Sequence, residues 1–157
     1  MCYTICMRYI KLTRNTRATV CDCHYELASK YKWSNQKGYA VTLVRKKYLS
    51  MHSLIMGTPK GMETDHINRK RRDNRCENLR IVTTQENQMN RGLPTNNHSG
   101  YKGVSYRKDK SKYHSRVELS GKKLHLGYFD NAEEAALAYD CAVLQLYGDI
   151  AYRNILV

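Results

Sequence analysis

One stretch fixes much of what this chain can become. Glu63-Thr64-Asp65-His66-Ile67-Asn68 is extended in pattern and carries an Asp-His pair near its end, and Asn78-Leu79-Arg80-Ile81-Val82 opens a second extended segment. Thr83 followed by Glu86 three residues on is a capping-box arrangement, so a helix is expected to begin at Thr83, with Asn87 near the end of its first turn. Strand, loop, strand and helix therefore follow one another within a short span. Neighbouring strand residues point to opposite faces, so Asp65 and His66 cannot serve one atom inside a regular strand. Where the backbone turns at a strand end, they can flank a bound group from two sides.

Length and charge narrow the partner. The 157-residue chain has room for one ordinary domain or two small ones. Its formal net charge of +13 calls for a polyanion. The charge is uneven: residues 1–98 carry 18 Lys and Arg against 7 Asp and Glu, and residues 99–157 carry 9 against 7. A membrane surface would also attract such a chain. However, no apolar run approaches the roughly 20 residues that span a bilayer, and no signal-peptide pattern opens the sequence. Nucleic acid is the expected partner, with no membrane and no small-molecule substrate.

The six cysteines, Cys2, Cys6, Cys21, Cys23, Cys76 and Cys141, lack the spacing of a secreted disulfide framework. They are expected to be reduced thiols of an intracellular, non-secreted protein. Cys21-Asp22-Cys23-His24 has the look of a zinc half-site. Its spacing is unusual and no second ligand pair follows at finger distance, so buried or edge thiols are expected there.

The organisation is tripartite. Residues 1–50 alternate apolar and polar with many Tyr, Thr and Val, which favours short strands with a turn at Asn35-Gln36-Lys37-Gly38. With residues 51–91, the core motif, they make a first domain over 1–92. Residues 93–100, polar and bracketed by glycines, read as a linker. Residues 101–157 form the second domain, with strands at Tyr101–Arg107, Tyr113–Leu119 and Lys122–Leu126, the last two joined by a turn at Ser120-Gly121. Asn131 with Glu134 caps a helix, Gly148 stops it, and Ala135, Ala138, Ala142, Val143 and Leu146 give it an apolar stripe. The expected fold class is α+β.

Hydrolysing a phosphodiester needs an activated water, a cation to neutralise developing charge and support for the leaving oxygen. Asp65, His66, Asn78 and Asn87 supply the residue types. A carboxylate with an amide oxygen is a hard, incomplete shell suited to Mg²⁺ or Mn²⁺ and poorly suited to structural zinc. Lys70, Arg71, Arg72 and Arg75 lie in the loop between the strands and are expected to meet the DNA backbone.

The segments Pro59-Lys60-Gly61-Met62-Glu63-Thr64-Asp65-His66-Ile67-Asn68 and Asp73-Asn74-Arg75-Cys76-Glu77-Asn78-Leu79-Arg80-Ile81-Val82-Thr83, preceded by Met51-His52-Ser53-Leu54-Ile55, resemble the HNH homing endonucleases of phages and introns, in the variant ending in Asn. The resemblance implies a ββα-metal nuclease unit. It further implies His66 as general base on water, Asp65 and Asn87 as metal ligands for Mg²⁺ or Mn²⁺, and Asn78 as a bridge across the hairpin loop that positions His66. His52 lies well before the hairpin and is expected to pack or to contact phosphate.

In the second domain, residues 101–125 carry eight basic residues against Asp109 and Glu118, whereas residues 130–149 carry five acidic residues and no Lys or Arg. The sheet should therefore face nucleic acid and the helix should back it. Alternation sends Val104, Tyr106, Tyr113, Val117, Leu119, Leu124 and Leu126 towards the helix, and Ser105, Arg107, His114, Arg116, Glu118, Lys123 and His125 outward. Ser99-Gly-Tyr-Lys-Gly-Val104, Leu126-Gly127-Tyr128-Phe129-Asp130 and Ala132-Glu-Glu-Ala-Ala-Leu-Ala-Tyr139-Asp140 resemble the Apetala/ethylene-response-factor DNA-binding domain. By that resemblance the DNA contacts fall on Lys102, Ser105, Arg107, Arg116, Glu118, Lys123 and His125. Ser105, Glu118 and His125 depart from the residues common there, so the target sequence does not transfer.

Together these readings give a ββα-metal nuclease unit with N-terminal strands, followed by a three-stranded antiparallel sheet packed on one helix. The expected function is Mg²⁺- or Mn²⁺-dependent cleavage of double-stranded DNA by a homing-type endonuclease, favoured as a monomer, in the cytoplasm of a bacterial host if phage-encoded. A DNA-binding regulator that keeps the nuclease fold without activity is the alternative, and a structured-RNA binder is a third.

Overall fold

The computed structural model describes residues 6–119 and 121–155. Contacts divide the chain into two compact units, one up to Asn87 and one from Gln88. The class is mixed α/β, with small sheets and few helices.

In the first unit, β1 (Met7–Leu12) and β2 (Thr16–Cys21) form a hairpin whose alternation buries Ile10, Leu12, Ala18 and Val20. The chain then enters α1 (Asp22–Ser29), a helix not expected from the strand-like reading of residues 1–50. Its apolar signal is short, with Tyr25 and Ala28, spaced by three, packed on the core with Trp33. A meander of β3 (Ser34–Gln36), β4 (Tyr39–Val44) and β5 (Lys47–Ser50) follows. The expected turn is present: Lys37 and Gly38 both have positive φ, and Asn35 Oδ1 accepts the Gly38 N–H at 3.0 Å.

The next segment sets the site. After α2 (Met51–Met56), β6 (Glu63–His66) pairs antiparallel with β8 (Leu79–Val82), matching Asp65 with Arg80 and His66 with Leu79. Between them the two-residue strand β7 (Asp73–Asn74) pairs in parallel with β2, placing Thr19 opposite Asp73 and Val20 opposite Asn74. Met51 and Ile55 of α2 and Leu79 of β8 join the core built on the first hairpin, so the loop between β6 and β8 is anchored to the interior. Helix α3 (Thr84–Asn90) opens with the expected capping box. Glu86 N–H donates to Thr83 Oγ1, while Glu86 Oε2 accepts from Thr83 N–H at 2.7 Å.

In the second unit, β9 (Val104–Arg107), β10 (Lys112–Leu119) and β11 (Lys122–Phe129) form an antiparallel sheet with β10 central. Ser120 of the expected turn lies outside the described residues. Helix α4 (Ala132–Tyr147) is capped by Asn131 Oδ1, which accepts the Glu134 N–H at 2.8 Å, and stops at Gly148. Its buried residues are Ala135, Ala136, Tyr139, Asp140 and Val143, a stripe rotated from the expected one, and Leu146 is exposed. The rotation follows Tyr139, whose ring enters the space left by Gly103. Tyr106, Leu119 and Leu124, expected against the helix, are 51%, 36% and 48% exposed. Tyr106 and Leu124 sit on edge strands and Leu119 is the last residue of the central one, whereas Val117 inside the central strand is covered. A bulge at the Ser115/Arg116 step skips Leu126 and shifts the phase of alternation along β11, so Tyr128 pairs with His114 whereas His125 pairs with Arg116. Among the described residues no helix is long and apolar enough to cross a membrane.

Candidate active site and nucleic-acid face

His66 closes β6 and is 4% exposed. Its Nε2 lies 3.3 Å from Asn74 Oδ1, delivered by β7. Because that oxygen accepts, the tautomer with the proton on Nε2 is favoured and the Nδ1 lone pair becomes the basic position. Burial is the leading influence on this imidazole and lowers its pKa. Arg71 pushes the same way, while the Asn74 contact, Asp65 and Asp73 oppose it. His66 is thus neutral at neutral pH.

Asn78 ties the loop together. Its Oδ1 accepts the Asn68 N–H at 3.0 Å, its Nδ2 donates to Asp73 O at 2.7 Å, and its carbonyl accepts the Ile67 N–H at 2.9 Å. These bonds fix the backbone on both sides of the turn that carries His66 and Asn74.

Asp65 is buried and bound to its cross-strand partner. Arg80 Nε and Nη2 both donate to Asp65 Oδ2, at 3.0 and 2.9 Å. On α3, Asn87 Nδ2 donates to Glu63 Oε2, while Glu63 Oε1 accepts from Thr84 Oγ1 at 2.9 Å. Glu63 and Asp65 are two residues apart in β6 and project to the same face. Glu63 is therefore the link between the strand carboxylates and the helix.

His52 stands closer to this centre than its place in the sequence suggests. Its ring lies 4.9 Å from that of His66, edge to face, with Tyr39 beside both. Its Nε2 is 3.1 Å from Ser50 Oγ, while Nδ1 is buried without a hydrogen-bond partner among the described residues. Burial, reinforced by His66, lowers its pKa to about 4, with Asp65 opposing. Asn74 Nδ2 is likewise buried without a partner. His52, Glu63, Thr64 and Asn87 line a cleft of about 860 Å³.

The loop cations fall into two kinds. Lys70, Arg71 and Arg72 line a concavity of about 690 Å³ with Arg17 and Arg69. Arg71 also stacks on Tyr39 and donates to Lys37 O at 2.7 Å. Arg75 shares that concavity but is held by Asp73 at 2.8 Å and Glu77 at 2.6 Å, which makes it a brace of the loop more than an open phosphate contact.

In the second unit, strand register sets the outward rows. Ser105, His114 and Tyr128 stand side by side, then Arg116 with His125, then Glu118 with Lys123. His114 Nε2 meets His125 Nδ1 at 2.8 Å, and Tyr128 stacks on His114. Arg107 is exposed and paired with Asp109 at 3.0 Å. Lys102 differs from the others: its ammonium donates to the carbonyls of Met89 at 2.6 Å and Arg91 at 2.7 Å, closing the end of α3.

Residues 56–89 match the family described as HNH endonuclease. Protein 3.8 of Escherichia phage T7 is 33% identical over 81 residues, covering 52% of this chain and 67% of that protein. The chain carries an HNH endonuclease domain. An uncharacterized HNH endonuclease of Acanthamoeba polyphaga mimivirus is 27% identical over 148 residues, 90% of this chain and 76% of the relative. The dehydration-responsive element-binding protein 2D of Arabidopsis thaliana is 44% identical over 66 residues, 41% of this chain and 32% of that protein. The matches make the protein a nuclease that acts on nucleic acid.

Sequence reasoning on this HNH endonuclease left out Glu63, Asn74 and Cys76. The i, i+2 spacing of Glu63 and Asp65 could have found the first. Asn74 and Cys76 depend on the two-residue parallel pairing of β7 with β2, for which the sequence holds no periodic signal.

Proposed function

We propose that this HNH endonuclease is a metal-dependent, homing-type enzyme that cuts double-stranded DNA, with His66 as general base. One observation carries the reading: a buried, neutral histidine, fixed at Nε2, sits among polar atoms that are buried and unsatisfied, His52 Nδ1 and Asn74 Nδ2. Such orphaned groups cost about 1–3 kcal/mol each and are kept where water or substrate completes them.

The donors near this centre are hard oxygens, which fit Mg²⁺ or Mn²⁺. Asp65 and Asn87 would hold the ion, with Glu63 as a further carboxylate, and it would neutralise charge growing on the scissile phosphate and the leaving 3′-oxygen. The chain's own residues do the rest. His66 accepts the water proton at Nδ1 while Asn74 keeps the ring from turning. Asn78 keeps the His66 turn and the Asn74 segment in register. Arg80 orients Asp65. Lys70, Arg71 and Arg72 hold the DNA backbone, and Arg75 stiffens their loop.

The second unit is proposed to choose the site. Ser105, Arg107, Arg116, Glu118, Lys123 and His125 present donors and an acceptor in rows on one sheet face, a form that enters a major groove. The likeness to a protein named as element-binding supports this assignment. Lys102 serves that face by anchoring it.

A plasmid-nicking assay tests the proposal. Wild-type protein converts supercoiled plasmid with Mg²⁺ or Mn²⁺ and stops with chelator, and His66→Ala lowers the rate by about 100-fold or more. Intact plasmid under every divalent ion, with wild type and variant alike, overturns the enzyme reading. Preference of the full chain for structured RNA over duplex DNA overturns the choice of partner.

A further inference from the structure

We propose that Cys21, Cys23, His24 and Cys76 bind one structural zinc ion, separate from the catalytic cation. One ligand atom from each of the four lies within 4.8 Å of all the others. Cys21 Sγ and Cys76 Sγ are 2.9 Å apart, and Cys23 Sγ is 3.3 Å from His24 Nδ1. Zinc in tetrahedral Cys₃His coordination, with bonds of about 2.0–2.3 Å, requires ligand separations of roughly 3.6–3.8 Å. The 2.9 Å sulfur pair and the 4.8 Å outer bound therefore lie on either side of the needed value, each about 1 Å from it. Side-chain adjustment covers that difference.

The surroundings suit thiolates. Cys21 immediately precedes α1, and Cys23 and His24 lie in its first turn, where the helix end carries partial positive charge. The Cys76 N–H donates to Cys21 Sγ at 3.1 Å, the kind of outer bond that steadies a metal-bound sulfur. Three soft sulfurs and an imidazole select zinc and reject Mg²⁺, so this cluster cannot substitute for the oxygen donors at Asp65.

The cluster's position explains its use. Cys76 stands between Asn74, which meets His66, and Asn78, which clamps the loop. A metal there ties this segment to α1 and β2, reinforcing a parallel pairing of only two residues. Binding releases the thiol protons and leaves all sulfurs reduced, so no oxidant is needed.

The test uses the full chain and does not depend on cleavage. Protein produced with zinc available and passed through a desalting column should carry one zinc per chain by elemental mass spectrometry. Apoprotein titrated with Co²⁺ under reducing conditions should develop thiolate-to-cobalt charge-transfer absorption and the intense visible bands of a tetrahedral site. Cys76→Ser and Cys23→Ser should each lose those bands, and Cys141→Ser should keep them. Three thiols should become reactive only after chelator is added, a readout that needs no variant to fold. Absent zinc together with a weak octahedral cobalt spectrum overturns the proposal. A Cys21–Cys76 disulfide, seen as a linked peptide in non-reduced protein that binds no zinc, also overturns it. Failure of the nicking assay alone leaves the zinc readouts intact and counts only against the catalytic proposal.

Discussion

Replacing Gly103 with alanine should unfold the second unit, and the structure supplies its own control. Gly103 has φ +78° and Gly100 has φ +79°, so an added side chain meets the same backbone strain at both positions. Around Gly100 nothing lies within 4 Å of the new carbon. At Gly103 that carbon would be 2.1 Å from Tyr139 Cδ2, 2.4 Å from Cε2 and 2.8 Å from the Arg116 carbonyl oxygen. Tyr139 is packed in the core, and the carbonyl belongs to the central strand, accepting nothing less than a shift of β10. Left-handed strain costs about 1–2 kcal/mol in either variant. Overpacking adds about 1–3 kcal/mol at Gly103 alone. A total near 4 kcal/mol is a large share of the 5–15 kcal/mol that holds an ordinary domain, on the order of 10–30 °C in melting temperature for one this small. Hydrogen exchange read by mass spectrometry on the full chain localises the loss: protection should fall in peptides of β9, β10 and α4 for Gly103→Ala and hold for Gly100→Ala. Retention on duplex DNA should fall with it. If the two variants melt within about 1 kcal/mol of each other, the proposed fit of Tyr139 against Gly103 is wrong.

Three further outcomes are expected. The folded pKa of His52 lies near 4, below its ordinary 6.5, so the unfolded chain binds more protons between these values and stability rises with pH. That stability, about 3 kcal/mol, is complete above about pH 6.5 and is lost as pH falls towards 4; urea titrations across the window should show a shallower dependence in His52→Gln, and an equal slope would refute the assignment. Arg80→Ala leaves the buried Asp65 carboxylate without the guanidinium that holds Oδ2 and should cost about 3 kcal/mol or more by urea denaturation, a loss under 1 kcal/mol counting against the pair. Asn78→Ala removes two bonds that fix the His66 turn and should lower kcat for nicking more than it changes KM, whereas a pure KM effect would make Asn78 a DNA contact.

Features whose partners lie within a few residues were legible. Thr83 with Glu86 and Asn131 with Glu134 form their caps because both partners fall within one helical turn. The Lys37-Gly38 turn follows from φ preferences that need no distant contact. Alternation likewise placed Arg116 beside His125 and Glu118 beside Lys123, because these pairs depend on the pleat and the hairpin, but it missed the bulge that brings Tyr128 beside His114. Burial was harder to read than facing direction. Tyr106 and Leu124 point to the apolar side yet stay exposed, since alternation says nothing of which strand will be central.

The site itself divides along the same line. Asp65, His66, Asn78 and Asn87 are carried by one span of chain, so their order and spacing could be read directly. What holds them is brought from elsewhere. His66 is fixed by Asn74, and Asn74 is placed by a parallel pairing with β2 across more than fifty residues of chain. The same pairing sets Cys76 beside Cys21, turning an incomplete Cys-x-Cys-His run into four converging ligands. A two-residue parallel strand adds few hydrogen bonds and has no hairpin to fix its register. If register slipped by one residue, Asn74 would turn away from His66 and Cys76 away from Cys21 together. A metal that fastens Cys76 to Cys21 would thus hold His66, the proposed general base, in place by holding its neighbour, and the cysteine and Asn78 variants should weaken the same segment from opposite ends.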